Sequence, residues 1–314
     1  MSFNTILDSI PCIGDKYRDQ LQNSCVVHFI KCSEKSSVAS AKIARFIAKL
    51  LGVPLIHEID DFKDSAVFNK DLIFFVNSPF VYCDFRKDFY EMIKVPDQRR
   101  VWIQNDYALE IRAPEPIFWT TIPDKFIKNP KDSYINWNQL SYIPQDVNLS
   151  RTNGLMYYGA FRKGRLNYFE KYLKDCLYPC FISTTPKHAP KFKEFNDKII
   201  ILKKFPSLIE TISQYSASLY IEDNWSNKHF CSPANRFYEC LSAGVAILFD
   251  KSCEQTMQIA GYDVSKYVVD SKEELNMLLK FAPEVAREQV KLWRRDYIGN
   301  LVEQVDTALN VLFN

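Results

Sequence analysis

Ser232–Asp250, Ser-Pro-Ala-Asn-Arg-Phe-Tyr-Glu-Cys-Leu-Ser-Ala-Gly-Val-Ala-Ile-Leu-Phe-Asp, decides how the rest of the chain is read. Ala234–Ser242 has the spacing of a short helix, Gly244 stops it, and Val245–Phe249 is an uninterrupted apolar run suited to a buried parallel strand. The helix brings one cation, Arg236, and one carboxylate, Glu239, beside that strand. A guanidinium near a helix start can meet phosphate, and a carboxylate can accept from ribose hydroxyls. The segment therefore predicts an α/β layer with an anion-binding edge.

The same alternation extends in both directions. Gly154–Tyr158, Cys180–Ser183, Lys198–Leu202 and Ser216–Ile221 read as further strands, with helices over Leu166–Leu173 and Ser207–Gln214. Upstream, strands are predicted at Cys25–Ile30, Val53–Ile59, Asp71–Asn77, Arg100–Gln104 and Pro116–Ile122. Ile43, Phe46, Ile47 and Leu50 keep helical spacing up to Gly52, and Phe85–Val95 is also helical in pattern. Between the two series, Asn129–Asn153 is polar and aromatic with no strong period, as expected of a crossing between domains. The tail Val285–Phe313 reads as a long helical region broken near Gly299, and the first 24 residues as an extra helix. Two domains follow, residues 1–150 and 151–290, with 291–314 as a terminal helix returning to the first.

Composition excludes several classes. The chain has 314 residues, is 47% hydrophobic and 25% charged, and so is a folded protein with room for two cores. Forty basic residues against 38 acidic give a net charge of +2, which does not by itself announce a nucleic-acid binder. The N-terminus lacks a basic segment followed by a long apolar run, and no stretch is long enough to span a bilayer. Nine scattered cysteines without a Cys-x-x-Cys pair read as reduced thiols of a cytosolic protein.

The chemistry-bearing residues gather at predicted strand ends. Met-Tyr-Tyr-Gly-Ala-Phe-Arg-Lys-Gly-Arg, residues 156–165, enters a loop at Gly159 and Ala160 and carries Arg162, Lys163 and Arg165 into a helix start. Glycines admit phosphate to backbone N–H groups and the cations supply positive potential, although a solvated basic turn has the same composition. Lys204 and Phe205 follow another strand and suit a nucleobase pocket or a plain loop. Glu222 and Asp223 follow Ser216–Ile221, where they line a sugar site or stand as solvated loop charge. In the first domain Asp106 ends a buried strand and is the candidate general base, against the reading of an Asn-Asp turn. Asn77, Ser78, Phe80 and Tyr82 form a turn after Asp71–Asn77 that can support a flipped base, or else belong to the core.

On Leu155–Arg165 and Ser216–Asp250, with echoes at Asp71–Ser78, Lys204–Ser207 and the strand ending in Asp106, the chain resembles the DNA β-glucosyltransferase family of T-even bacteriophages. The second-domain motifs are shared with many nucleotide-sugar transferases; the Asn77-Ser78 echo and Asp106 favour the DNA-modifying branch. The resemblance implies a GT-B architecture, two Rossmann-like domains facing a central cleft. It implies an inverting transfer from a UDP-sugar to the hydroxymethyl group of a modified pyrimidine, such as 5-hydroxymethylcytosine, in double-stranded DNA. Arg162 and Arg236 would bind the diphosphate, Glu239 the ribose, and Asp106 would act as base.

The resemblance further implies no obligatory cofactor, with Mg2+ or Mn2+ as stimulating ions only and no dedicated metal site. It implies no membrane partner, a monomer, and a setting of restriction evasion in the cytoplasm of an infected host cell. Two departures stand. The family's second loop arginine lies one position beyond Arg165. Its sugar-contacting glutamate falls where this chain has Ser37 or Val38, so the sugar is not specified. The same motifs also suit a GT-B enzyme acting on a cell-envelope or small-molecule acceptor, or a non-catalytic UDP-sugar or DNA-binding module.

Overall fold

The computed structural model describes residues 3–28, 38–57, 69–76, 99–104, 117–121, 129–143, 151–159, 161–196, 198–202, 209–224, 227 and 232–314. The chain divides into two compact units, Met1–Leu140 with Asp296–Asn314, and Ser141–Arg295. Each is built on a six-stranded parallel sheet.

In the first unit the strands are β1 (Ser24–His28), β2 (Leu55–His57), β3 (Leu72–Val76), β4 (Arg99–Gln104), β5 (Ile117–Thr120) and β6 (Ser133–Tyr134), in the order β2-β1-β3-β4-β5-β6. β1 and β3 are buried at every residue, which is why they read as continuous apolar runs. The helix Val38–Leu51 buries Ile43, Phe46, Ile47 and Leu50, the stripe expected from spacing. β6 falls inside the segment read as a domain crossing. It is a two-residue strand, too short to show a period, and pairs with Trp119 and Thr120 of β5.

In the second unit the strands are β7 (Thr152–Tyr158), β8 (Cys180–Ser183), β9 (Ile200–Leu202), β10 (Tyr215–Tyr220), β11 (Ala246–Asp250) and β12 (Val268–Val269). Their order is β12-β11-β10-β7-β8-β9. The chain runs outward from β7 through β8 and β9, then returns to the other side of β7 for β10, β11 and β12. Right-handed connections put the helices of the two halves on opposite faces, and the carboxyl ends of β7 and β10 become a topological switch point.

β12 covers only Phe249 and Asp250 of β11. Higher up that edge, Gln289 replaces the missing strand. Its Nε2 donates to the Ile247 carbonyl at 2.8 Å and its Oε1 accepts from the Ile247 N–H at 2.8 Å, in a fully buried setting.

The tail departs from the expectation of a break near Gly299. The helices are Ala282–Trp293 and Tyr297–Phe313, and the break lies at residues 294–296. Asp296 caps the second helix by accepting from the Gly299 N–H at 2.9 Å. A Cβ at residue 299 would stand 2.4 Å from Asp296 Oδ2, so the glycine admits the cap and does not end the helix. The N-terminal residues form a helix, Phe3–Ser9, then a 3-10 turn at Gly14–Tyr17 and the helical turn Arg18–Leu21. Among the described residues Cys12, Cys25, Cys176, Cys180, Cys240 and Cys253 are free thiols, and no helix is long and apolar enough to cross a membrane.

Candidate functional site: an arginine pair at a strand switch point

β7 and β10 run side by side, with Ala217 opposite Leu155 and Ser218 opposite Met156. Their carboxyl ends therefore open next to one another. β7 delivers Gly159, and β10 delivers Ile221, Glu222 and Asp223. Gly159 has φ +150°, a backbone shape that side chains rarely adopt. A Cβ there would also lie 3.0 Å from Tyr157 Oη and 3.2 Å from Arg236 Nη1, so only glycine lets the loop pass this close to the guanidinium.

Arg236 comes from the first turn of the helix Asn235–Ala243. Its Nη2 donates to the Ile221 carbonyl at 2.7 Å and also to Glu222 Oε1. The guanidinium stands over the rings of Tyr220 and Tyr157, at 5.3 and 5.8 Å from their centroids. Burial works against its charge, and Glu222 with the surrounding tyrosines outweighs that, so its pKa lies above the ordinary arginine value. Arg165, from the loop after β7, is buried. Its Nη1 donates to Tyr157 Oη at 3.1 Å and its Nη2 to Glu222 Oε2. One carboxylate thus bridges two arginines, Arg165 buried and Arg236 nearly so. Removing one member of such a pair costs about 3–5 kcal/mol, because it strands a buried charge.

The flanking groups complete the edge. Arg162 is 58% exposed and faces Asp223 Oδ2 at 3.4 Å. Gly164 packs on Asp223, whose Cβ would be 3.0 Å from a Cβ at residue 164. Glu239, one turn beyond Arg236, accepts from Tyr158 Oη at 2.5 Å. Burial, then the neighbouring Cys240 and Glu239, hold the Tyr158 phenol well above its usual pKa, so it stays a donor. The helix start at Ala234 has no side-chain cap, which leaves the positive end of the helix dipole facing this edge.

The structure brings together Gly159, Arg162, Arg165, Asp223, Arg236 and Glu239 of the expected donor residues. Ala160, Lys204 and Phe205 lie outside the described residues, as do the first-domain candidates Asn77, Ser78, Phe80, Tyr82 and Asp106 and the helix expected at Phe85–Val95. The reading of Glu222 and Asp223 as solvated loop charge is corrected: each is under one-tenth exposed and is held by arginines. Sequence reasoning missed the bridge itself and the two tyrosines. Tyr157 and Tyr158 are consecutive in β7 and so face opposite sides, one toward Arg165 and Phe169, the other toward Glu239. An adjacent pair of tyrosines ending a strand was the available signal. Among the described residues no group of three or more His, Cys, Asp or Glu is placed to share a metal ion, and both Glu222 and Asp223 are engaged by arginines.

Two parallel six-stranded sheets, one with an anion-type edge at its switch point, define the GT-B fold class. The fold is similar to that of T4 phage β-glucosyltransferase, at 16% identity and TM-score 0.64, over 91% of this chain and 99% of that one. It is also similar to an α-glucosyltransferase solved with UDP and a 13-mer DNA containing an HMU base, at 14% identity and TM-score 0.53 over 90% and 95%. A third similar structure is Anabaena Alr3699/HepE in complex with UDP, at 8% identity and TM-score 0.56 over 92% and 99%. Neither a protein-family model nor a curated protein matches the sequence. At these identities the likeness establishes the fold.

Proposed function

We propose that this chain is an inverting glycosyltransferase that moves a sugar from a UDP-sugar to the hydroxymethyl group of a modified pyrimidine, 5-hydroxymethylcytosine first, in double-stranded DNA. The observation that carries the reading is the buried Arg165–Glu222–Arg236 bridge packed against Gly159 at the switch point of the second sheet. Such an edge suits a diphosphate, and the fold neighbours solved with UDP and with DNA support the donor and the acceptor.

In this reading Arg236 and Arg162 neutralise the leaving diphosphate, with Arg165 adding charge from behind, while Glu239 accepts from the ribose and Asp223 borders the sugar. Asp106 takes the hydroxymethyl proton as that oxygen attacks the anomeric carbon from the face opposite UDP. The base leaves the duplex for this step, with Asn77, Ser78, Phe80 and Tyr82 as its support. Lys204 and Phe205 border the nucleobase of the donor, and Ala160 the diphosphate. The described residues do not fit a protein-held metal, and no step runs through one.

Nucleoside mass spectrometry after incubating hydroxymethylcytosine DNA with the protein and a panel of UDP-sugars tests the reaction. A glycosylated nucleoside is expected with at least one donor. Asp106→Asn should keep UDP binding and lose transfer by about a hundredfold or more; wild-type transfer in that variant would remove Asp106 as base. A second reading keeps the donor half, consistent with the UDP-bound HepE fold neighbour, and takes a cell-envelope or small-molecule hydroxyl as acceptor. Transfer to such acceptors with none to hydroxymethylated DNA would select it.

A further inference from the structure

Glu222 has a part in this edge beyond the donor contacts proposed above. Arg236 has further anchors: the Ile221 carbonyl, Tyr220 and Tyr157 also hold that guanidinium. Arg165 is likewise anchored by Tyr157 Oη. What Glu222 supplies is charge, one negative unit in direct contact with both cations. Asp223 faces Arg162 at 3.4 Å and lies 3.8 Å from Arg165 Nη2, so Glu222 is the carboxylate that Arg165 and Arg236 share.

The hydrogen count on Arg236 makes Glu222 a competitor as well as a partner. Both hydrogens of Nη2 are taken, one by Ile221 and one by Glu222. Nη1 lies against Gly159, and Nε is buried without a partner. A phosphate held by both terminal nitrogens of Arg236, the usual two-pronged geometry, has to displace Glu222 from Nη2. The edge without Glu222 would bind a diphosphate more tightly and be costlier to leave empty; the edge with this internal anion is stable empty and easier to vacate.

We infer that Glu222 is an internal counter-ion of the donor site, which holds the Arg165–Arg236 pair while the site is empty, yields Arg236 Nη2 to a nucleoside diphosphate, and takes it back as the product leaves. This rests on the UDP-sugar reading of the same edge. Glu222 is a positioning residue, and it sets how strongly the released nucleoside diphosphate is retained.

The test is calorimetric titration of UDP and of uridine into the wild-type protein, Glu222→Gln and Glu222→Asp, with thermal melts of each. Glu222→Gln keeps the shape and removes the charge. It should melt lower without ligand and bind UDP at least tenfold more tightly, a change of about 1.4 kcal/mol, while uridine affinity stays unchanged. Glu222→Asp keeps the charge but is one methylene too short to bridge both arginines. It should tighten UDP by a smaller factor, so the measurement stands even if the glutamine variant fails to fold. Equal or weaker UDP binding in a folded variant would overturn the counter-ion role. Failure of the wild type to bind UDP would overturn the donor reading itself, which separates the two failures.

Discussion

The switch points of the two sheets occupy equivalent places, and at the second a set of charged groups lies just beyond the strands. In the first unit β1 and β3 end at His28 and Val76, both buried, and every residue of those strands is buried. In the second unit β10 is buried throughout as well, and just past β7 and β10 stand a glycine with φ +150°, a bridging carboxylate and two arginines, Arg165 from the loop after β7 and Arg236 from a helix start. Strands at both switch points are packed, and in the second unit preassembled charge stands just beyond them. On the proposed reading, the second unit therefore recognises its ligand with groups fixed by strands and a helix start, whereas the first acts through residues that follow its strand ends, Asp106 among them. The largest expected effect breaks this contrast at its centre. Arg236→Ala removes the cation nearest Gly159 and leaves Glu222 with Arg165 alone. UDP affinity measured by calorimetry should fall at least a hundredfold, in line with the roughly 2–5 kcal/mol lost on truncating one partner of a buried charged pair. Undiminished UDP binding would mean that the charged edge is architecture and that the donor is held elsewhere.

A charged edge stays in place only if the sheet behind it is complete, and there the second unit depends on one side chain. Gln289 satisfies both backbone groups of Ile247 where β12 is too short to do so. Gln289→Leu leaves a buried N–H and a buried C=O unpaired and should cost about 2–3 kcal/mol in urea denaturation. UDP affinity of the folded variant should be unchanged, because Ile247 lies in β11, one strand beyond β10. A loss of both together would show that the edge and the sheet behind it are a single cooperative unit.

The elements that could be read from sequence were those whose signal is local. Leu72–Val76 and Ala246–Asp250 are apolar runs bounded by turn residues, and they are strands buried on both faces. β6 and β12 were not legible, since two residues carry no period; they exist because Trp119-Thr120 and Phe249-Asp250 offer an edge to pair with. Gly299 looked like a helix stop because glycine usually is one. Here the capping carboxylate of Asp296 occupies the space a side chain would need. In the candidate site Gly159 and Arg236 stood out by position, at a strand end and a helix start. Glu222 did not, because an acidic pair after a strand looks the same whether solvated or buried. Its burial is decided by arginines 57 and 14 residues away in the chain, which only tertiary structure brings to it.

The smallest expected effect sharpens the contrast from the side of the first unit, which uses polar groups to fasten its ends. The terminal helix Tyr297–Phe313 is tied to the N-terminal turn through Asp306. Tyr17 Oη donates to Asp306 Oδ1 at 2.7 Å and lies 2.9 Å from Asn310 Oδ1, while Lys16 Nζ reaches Asp306 Oδ2 at 2.7 Å. Lys16 is largely exposed, so its ion pair adds little. Tyr17 is buried, and Tyr17→Phe should cost about 1 kcal/mol in urea denaturation at pH 7. Burial opposes the Asp306 charge, but the hydrogen bonds from Lys16 and Tyr17 outweigh it and hold the carboxyl below its ordinary 3.8. A depressed carboxylate contributes stability that is complete above its unfolded value and is lost as pH falls through the folded one. The difference in stability between the wild type and Asp306→Asn should therefore be constant from neutral pH down to about pH 5 and shrink below 3.8. A difference that persists unchanged at pH 2.5 would mean that Asp306 fastens the helix by shape alone, leaving the charged edge of the second unit as the place where ionisation governs behaviour.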